Sequence, residues 1–193
     1  VMSARHLWVR AEQSDNETRV GITPEGVSTL LSAGFKVTVE ASDTRVIATS
    51  AYAKTGCDIA PANSWPDAPK DAIIFGLKEL PEDGTPLPHI HIMFGHAFKG
   101  QVSGQTLLQR FKAGGGTLLD LEYLTNDTGR RVAAFGYWAG FAGAAVALKC
   151  WAAQRHGKIA GPVSPYANAE TLKSYLAAEL AETGTERPDA LII

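Results

Sequence analysis

Two apolar runs in this chain end in a glycine followed by groups that exchange protons. In IIFGLKEL, residues 73–80, Ile73, Ile74 and Phe75 give way to Gly76 and then Lys78. In HIHIMFGHAFKGQ, residues 89–101, an apolar alternation ends at Gly95 and leads into His96 and Lys99. A lysine partly withdrawn from water releases its proton more readily, and histidine titrates near neutral pH unaided, so both are usable acids or bases. Each also has a plainer reading, since a strand-end lysine is ordinary surface charge and an isolated histidine is often structural. Two strands that each run out into a titratable side chain look like two walls of one site.

Other charges add to this pattern. Arg130 and Arg131 follow the turn TNDTG and read as opening a helix, where a cation opposes the helix dipole. That placement is easier to understand with an anion, a carboxylate or a phosphate, between them and the helix start. Arg19, just ahead of Thr23, poses the same puzzle. Glu122 follows the apolar LLDL and is a carboxylate at another strand end. His89 and His91 have no cysteine or carboxylate partners at metal-ligand spacing, so a zinc site is discounted.

Several elements must hold these residues in place. HLWVRAE reads as a first strand. A helix opens at Thr23, with Pro24 at its first position, Glu25 facing the dipole and Gly34 as its stop. KVTVE alternates with period two, as a strand does, and a short helix around 51–54 ends at Gly56. Strands near 72–77 and 90–95 carry Lys78 and His96. Gln105 to Lys112 reads as a helix stopped by GGG, followed by the strand TLLDLEYL. A long Ala/Gly-rich helix covers about 132–154, Asn168 caps an amphipathic helix with Leu172, Leu176 and Leu180, and PDALII reads as a last strand. Close packing accounts for Gly136, Gly140 and Gly143 in the long helix. Strands alternating with helices predict an α/β, Rossmann-like fold with a mostly parallel sheet. Ligands collect beyond the carboxyl ends of such strands, where Lys78 and His96 fall. No G-x-G-x-x-G follows a strand, so most of any dinucleotide pocket is expected outside this chain.

The composition narrows the function classes. With 193 residues, 45% hydrophobic, and a formal net charge of −2, there is ample core material and no electrostatic footprint for nucleic acid or an anionic membrane. Residues 132–148 are uncharged, but they fall short of the roughly 20 apolar residues of a membrane span and are dominated by Ala and Gly. A buried helix is the expectation there. Cys57 and Cys150 read as buried thiols in a reducing compartment, and VMSARHLWVR lacks a secretory core, so a cytoplasmic location is expected.

The strings GLKELP, HIHIMFGHAFKGQ, DLEYL and DTGRRVAAFG followed by AGFAGAA carry a resemblance. They are similar to the N-terminal half of the NAD-dependent, lysine-forming saccharopine dehydrogenases, within the wider alanine dehydrogenase/transhydrogenase group. The similarity runs from about Leu7 to Val146 and resumes at VSPY and ALII; HAFK stands where the family often has HCYK. It implies one domain of a two-domain enzyme that oxidises saccharopine with NAD to an imine, then hydrolyses it to lysine and 2-oxoglutarate. By position, Lys78 and His96 match the acid/base pair, and Lys99 and Glu122 match charged neighbours that tune it. Arg19 and Arg131 match carboxylate-binding arginines, Gln101 and Phe135 line the substrate site, and Arg130 reaches the cofactor. Residues 1–150 would form the substrate-side domain, 151–185 a linker and helix, and 186–193 the start of a truncated dinucleotide-binding domain. The full enzyme is expected to be a monomer. The isolated chain is expected to be inactive and prone to self-association. Two other readings stay open: an amino-acid dehydrogenase of alanine or opine type, and a non-catalytic domain that binds a small carboxylate.

Overall fold

The structure, a computed structural model, describes residues 5–189. Most of the expected terminal strand, residues 190–193, lies outside the described residues. The chain divides into two compact units, Val1–Ala133 and Ala134–Ile193.

The first unit holds a six-stranded sheet: β1 (His6–Val9), β2 (Lys36–Glu40), β3 (Asp58–Ala60), β4 (Ile73–Phe75), β5 (Ile90–Met93) and β6 (Thr117–Asp120). The spatial order is β3-β2-β1-β4-β5-β6 and every pairing is parallel, as expected for a Rossmann-like α/β unit. The chain winds outward from β1 to β3, returns to β4 beside β1, and winds outward the other way. The order therefore reverses between β1 and β4.

Alternation along the strands builds a core on each face. Ile74 and Met93 pack with Trp65, Leu87, Leu107 and Phe111 on one side, with Trp8 against them. Leu7, Val9, Val37 and Val39 pack with Val27 and Tyr52 on the other. Each fully buried aliphatic or aromatic side chain contributes about 1.5–3 kcal/mol.

Helix α1 (Pro24–Ser32) begins as the sequence predicts, with the Thr23 hydroxyl accepting from the Gly26 amide at 3.2 Å and Gly34 just beyond its end at φ 85°. Helix α2 (Thr49–Ala53) is a single short turn-and-a-half before Gly56. Helix α3 (Val102–Gly114) is longer at both ends than its apolar pattern indicates, and Gly115 caps it at φ 74°. The predicted strand TLLDLEYL is strand only to Asp120. The Asp120 side chain then accepts from the Glu122 amide and turns Leu121–Tyr123 into a 3-10 helix.

The second unit contains α4 (Gly136–Arg155) and α5 (Ala169–Ala181), the latter capped by Asn168 accepting from the Thr171 amide at 2.8 Å. Four expectations are corrected here. First, α4 starts at Gly136, so Arg130 and Arg131 do not open it; they belong to a turn closed by the Thr125–Arg131 bridge and the Asn126 side chain. Second, α4 buries only Ala145 and Ala152, and Tyr137 and Trp138 are exposed. It is rich in small residues and carries Lys149 and Arg155 toward its end, and no described helix is long and apolar enough to cross a membrane. Third, a Cβ at Gly136, Gly140 or Gly143 would meet nothing within 4 Å among the described residues, so close packing does not account for them. Fourth, Cys57 and Cys150 are free but half-buried rather than buried.

Candidate functional site

Four strands deliver charge to one edge of the sheet. Past its end β1 carries Arg10 and Glu12, β4 carries Lys78 and Glu79, β5 carries His96 and Lys99, and β6 carries Glu122. All lie at the carboxyl ends of parallel strands, on both sides of the point where the strand order reverses, which is where open α/β sheets bind ligands.

Glu79 links the lysine and the histidine. Its carboxylate is hydrogen-bonded to His96 Nδ1, and Lys78 is its chain neighbour. Burial alone would raise the Glu79 carboxyl. Hydrogen bonds from its own backbone and from His96, with the charges of His96 and Lys78 nearby, hold it below its usual 4.5 instead. His96 itself has φ 48°, a left-handed conformation that a histidine adopts at some cost, and its ring stacks near Phe94 at 6.4 Å between centroids.

Glu122 is the second junction. It accepts from Lys99 Nζ at 2.8 Å and from the Arg131 guanidinium at 3.1 Å. The Lys99 hydrogen bond is the main reason its carboxyl lies below the usual range, with Arg131 and His96 adding to it against the burial penalty. Glu17 is the third junction. It is buried, it accepts two hydrogen bonds from the Arg19 guanidinium at 2.9 and 2.7 Å, and its carboxyl is held low chiefly by Arg19, with Lys78 contributing. Arg19 is pushed up by the same bonds.

The edge therefore gathers Lys78, His96, Lys99, Arg131 and Arg19 around three glutamates, Glu17, Glu79 and Glu122. Gln101 stands at the start of α3, exposed, with its carbonyl accepting from Gly104. Arg130 is exposed in the 125–131 turn. Phe135 belongs to the second unit, at the N-terminal boundary of α4. Glu17 and Glu79 were not singled out from sequence, although each lies next to or two residues from a residue that was.

The largest omission lies beneath the site. Arg10 and Glu40 are fully buried, and Glu12 is nearly so. Glu12 accepts from the amides of Leu77 and Lys78, and Arg10 donates to the Lys78 carbonyl. Glu40 accepts from Trp8 Nε1 and from the amides of Ala11 and Asn63. Polar residues in an otherwise apolar strand pattern, at positions 10, 12 and 40, were the available signal.

The N-terminal domain model of the alanine dehydrogenase/PNT family matches residues 8–142. The chain belongs to this family. Within it, the chain is 46% identical over its whole length to the saccharopine dehydrogenase (NAD(+), L-lysine-forming) of Emericella nidulans, and 43% identical to that of Schizosaccharomyces pombe. It spans about half the length of these curated relatives, 53% and 54%. Among solved structures, an L-alanine dehydrogenase shares the family fold at a TM-score of 0.59 and 18% identity, over 78% of this chain and 42% of that one.

The names of these curated relatives carry NAD(+). At the reversal point the amides of Ala11, Leu77 and Lys78 are already held by the carboxylates of Glu40 and Glu12. Among the described residues no group of three or more His, Cys, Asp or Glu could hold a metal ion.

Proposed function

We propose that this chain is the substrate-side part of an NAD-dependent saccharopine dehydrogenase that yields L-lysine and 2-oxoglutarate. The observation that carries the reading is that Lys78 and His96 stand past the carboxyl ends of the adjacent parallel strands β4 and β5, with Glu79, next to Lys78 in the chain, bonded to His96. The similarity to lysine-forming enzymes along the whole chain supports the choice of substrate.

In this reading Lys78 and His96 exchange protons with the secondary amine of saccharopine and with the water that later adds to the imine. Lys99 and Glu122 set the charge around them. Glu122 and Glu79 neutralise part of the cationic crowd, through the bonds of Glu122 to Lys99 and Arg131 and of Glu79 to His96. Arg19 and Arg131 receive substrate carboxylates, for which the planar guanidinium is well matched, and Gln101 and Phe135 line the substrate. The nicotinamide site is assigned to the remainder of the enzyme, with Arg130 as this chain's contact toward it. Two free cysteines and a near-neutral charge favour a cytoplasmic monomer that acts on small molecules and binds no nucleic acid.

The test is NADH formation from saccharopine and NAD by the full-length protein. Lys78→Met and His96→Gln should each lower kcat by about 10²–10⁴-fold, the usual contribution of a general acid or base. No NADH from the full-length protein, or two fully active variants, would refute the reading.

A further inference from the structure

Nothing in the roles above accounts for Arg10, Glu12 and Glu40, the buried charges under the site. Lys78 lies on an irregular segment three residues beyond β4, not on a strand or helix. Left to itself such a segment would wander. Here Glu12 spends both carboxylate oxygens on it, accepting from Leu77 N at 2.7 Å and from Lys78 N at 3.0 Å. Arg10 donates to the Lys78 carbonyl from the other side, and to Ala11 O and Glu12 Oε2 at 3.3 Å each. Its guanidinium occupies the space over Gly76, where any Cβ would overlap it. The neighbouring ladder bonds complete the hold, with Gly76 N donating to Ile92 O and Phe94 N to Leu77 O, each at 3.0 Å. Glu40 in turn fixes the exit of β1, through Ala11 N at 2.8 Å.

Arg10 is 1% exposed and is unlike Arg19 and Arg131, whose side chains are about half exposed and able to meet a ligand. A buried ion pair is on average no more stabilising than an apolar replacement of the same shape. What this pair does that apolar side chains could not is grip the amide and the carbonyl of one residue, Lys78. Charge-assisted hydrogen bonds of this kind are short and directional. We propose that Arg10 and Glu12 are positioning residues for Lys78, fixing where its amine stands at the carboxyl edge of the sheet, with Glu40 anchoring the pair. The proposal rests on the reading of Lys78 as a proton-transfer group.

The experiment uses the full-length enzyme with Glu12→Gln, Glu12→Asp, Arg10→Lys and Lys78→Met. Glu12→Gln keeps the size of the side chain but sets its amide hydrogens against a backbone N–H. Two quantities are read. One is kcat and KM for saccharopine. The other, independent of turnover, is the rate at which trace acetic anhydride labels Lys78 across pH, measured by peptide mass spectrometry against Lys36 at the opposite end of the sheet.

Glu12→Gln should lower kcat about 10- to 100-fold with KM within about 3-fold, the signature of a misplaced catalytic group, and should change Lys78 labelling relative to Lys36. Glu12→Asp should recover part of both. Should Glu12→Gln fail to fold, Arg10→Lys carries the same comparison. A folded variant with a lower thermal midpoint but wild-type kcat and wild-type Lys78 labelling would make the pair merely structural and overturn the proposal, while Lys78→Met stays impaired. Wild-type turnover by Lys78→Met would instead overturn the underlying reading, and the proposal with it.

Discussion

His96 holds two properties in one residue: a titratable ring bonded to Glu79 and a left-handed backbone. The conformation costs a non-glycine residue about 1–2 kcal/mol. His96→Gly and His96→Ala both delete the ring, but only glycine relieves the backbone. His96→Gly should therefore be the more stable of the two by about 1 kcal/mol in urea unfolding, and equal stability would show that no strain is stored there. The carboxylates make a second residue-scale prediction. Glu17, Glu79 and Glu122 all have folded-state values below 4.5. A depressed carboxyl contributes stability that is present above its unfolded value and lost as pH falls through its folded value. The urea midpoint should hold from neutral pH down to 4.5 and fall below it, and Glu17→Gln should flatten that fall. An unchanged slope in Glu17→Gln would remove Glu17 from the account. Lys78, His96, Lys99, Glu122, Arg19 and Arg131 were legible in the sequence because each follows an apolar run or a turn. Their glutamate partners were less so, because a glutamate near a lysine reads as solvated surface until the fold closes around it.

The elements were legible where local chemistry decides them. Thr23, Pro24 and Gly34 bracket α1, and period-two alternation marks β2, because capping and burial are both written within a few residues. Thr23→Ala should cost about 1 kcal/mol in thermal or urea unfolding, and a negligible change would show the cap to be redundant. The end of β6 was not legible. LLDLEYL reads as one strand, yet the Asp120 carboxylate takes the Glu122 amide and turns the chain four residues before the pattern ends at Leu124. The start of α4 was missed for a similar reason. VAAF is as apolar as the helix that follows, but Val132 donates back to Leu124 and keeps the 124–132 hairpin extended. At Arg10, Glu12 and Glu40 the sequence offers only the polar interruption of an apolar pattern; which groups they brace is not legible there, since the partners lie on strands far apart in sequence and meet only when β1 sits between β2 and β4.

At the scale of the molecule, the sheet of the first unit ends in β6, a parallel edge strand with Leu119 half exposed. Tyr123, Leu124 and Phe98 are exposed beside it, around a cavity of about 660 Å³ lined also by Ile92, Leu118 and Leu121. Among the described residues no strand pairs with the outer side of β6, and an apolar edge of this kind invites pairing with another chain. The 193-residue chain on its own should associate with rising concentration in light scattering, and Leu119→Lys should reduce that association. A monodisperse monomer at high concentration would refute this.

The glutamates beside Arg19 and Arg131 have one more consequence. Both guanidiniums already hold a carboxylate, Glu17 and Glu122 respectively, at ordinary ion-pair distances. In the proposed reading an incoming acid competes with a resident one for each guanidinium, so ligand recognition would be an exchange of partners rather than the filling of a vacancy. Exchange leaves the number of ion pairs nearly constant. Affinity for a dicarboxylate should then depend only weakly on salt, and the glutamates let go by each arginine would become newly available to accept protons at the moment the ligand arrives.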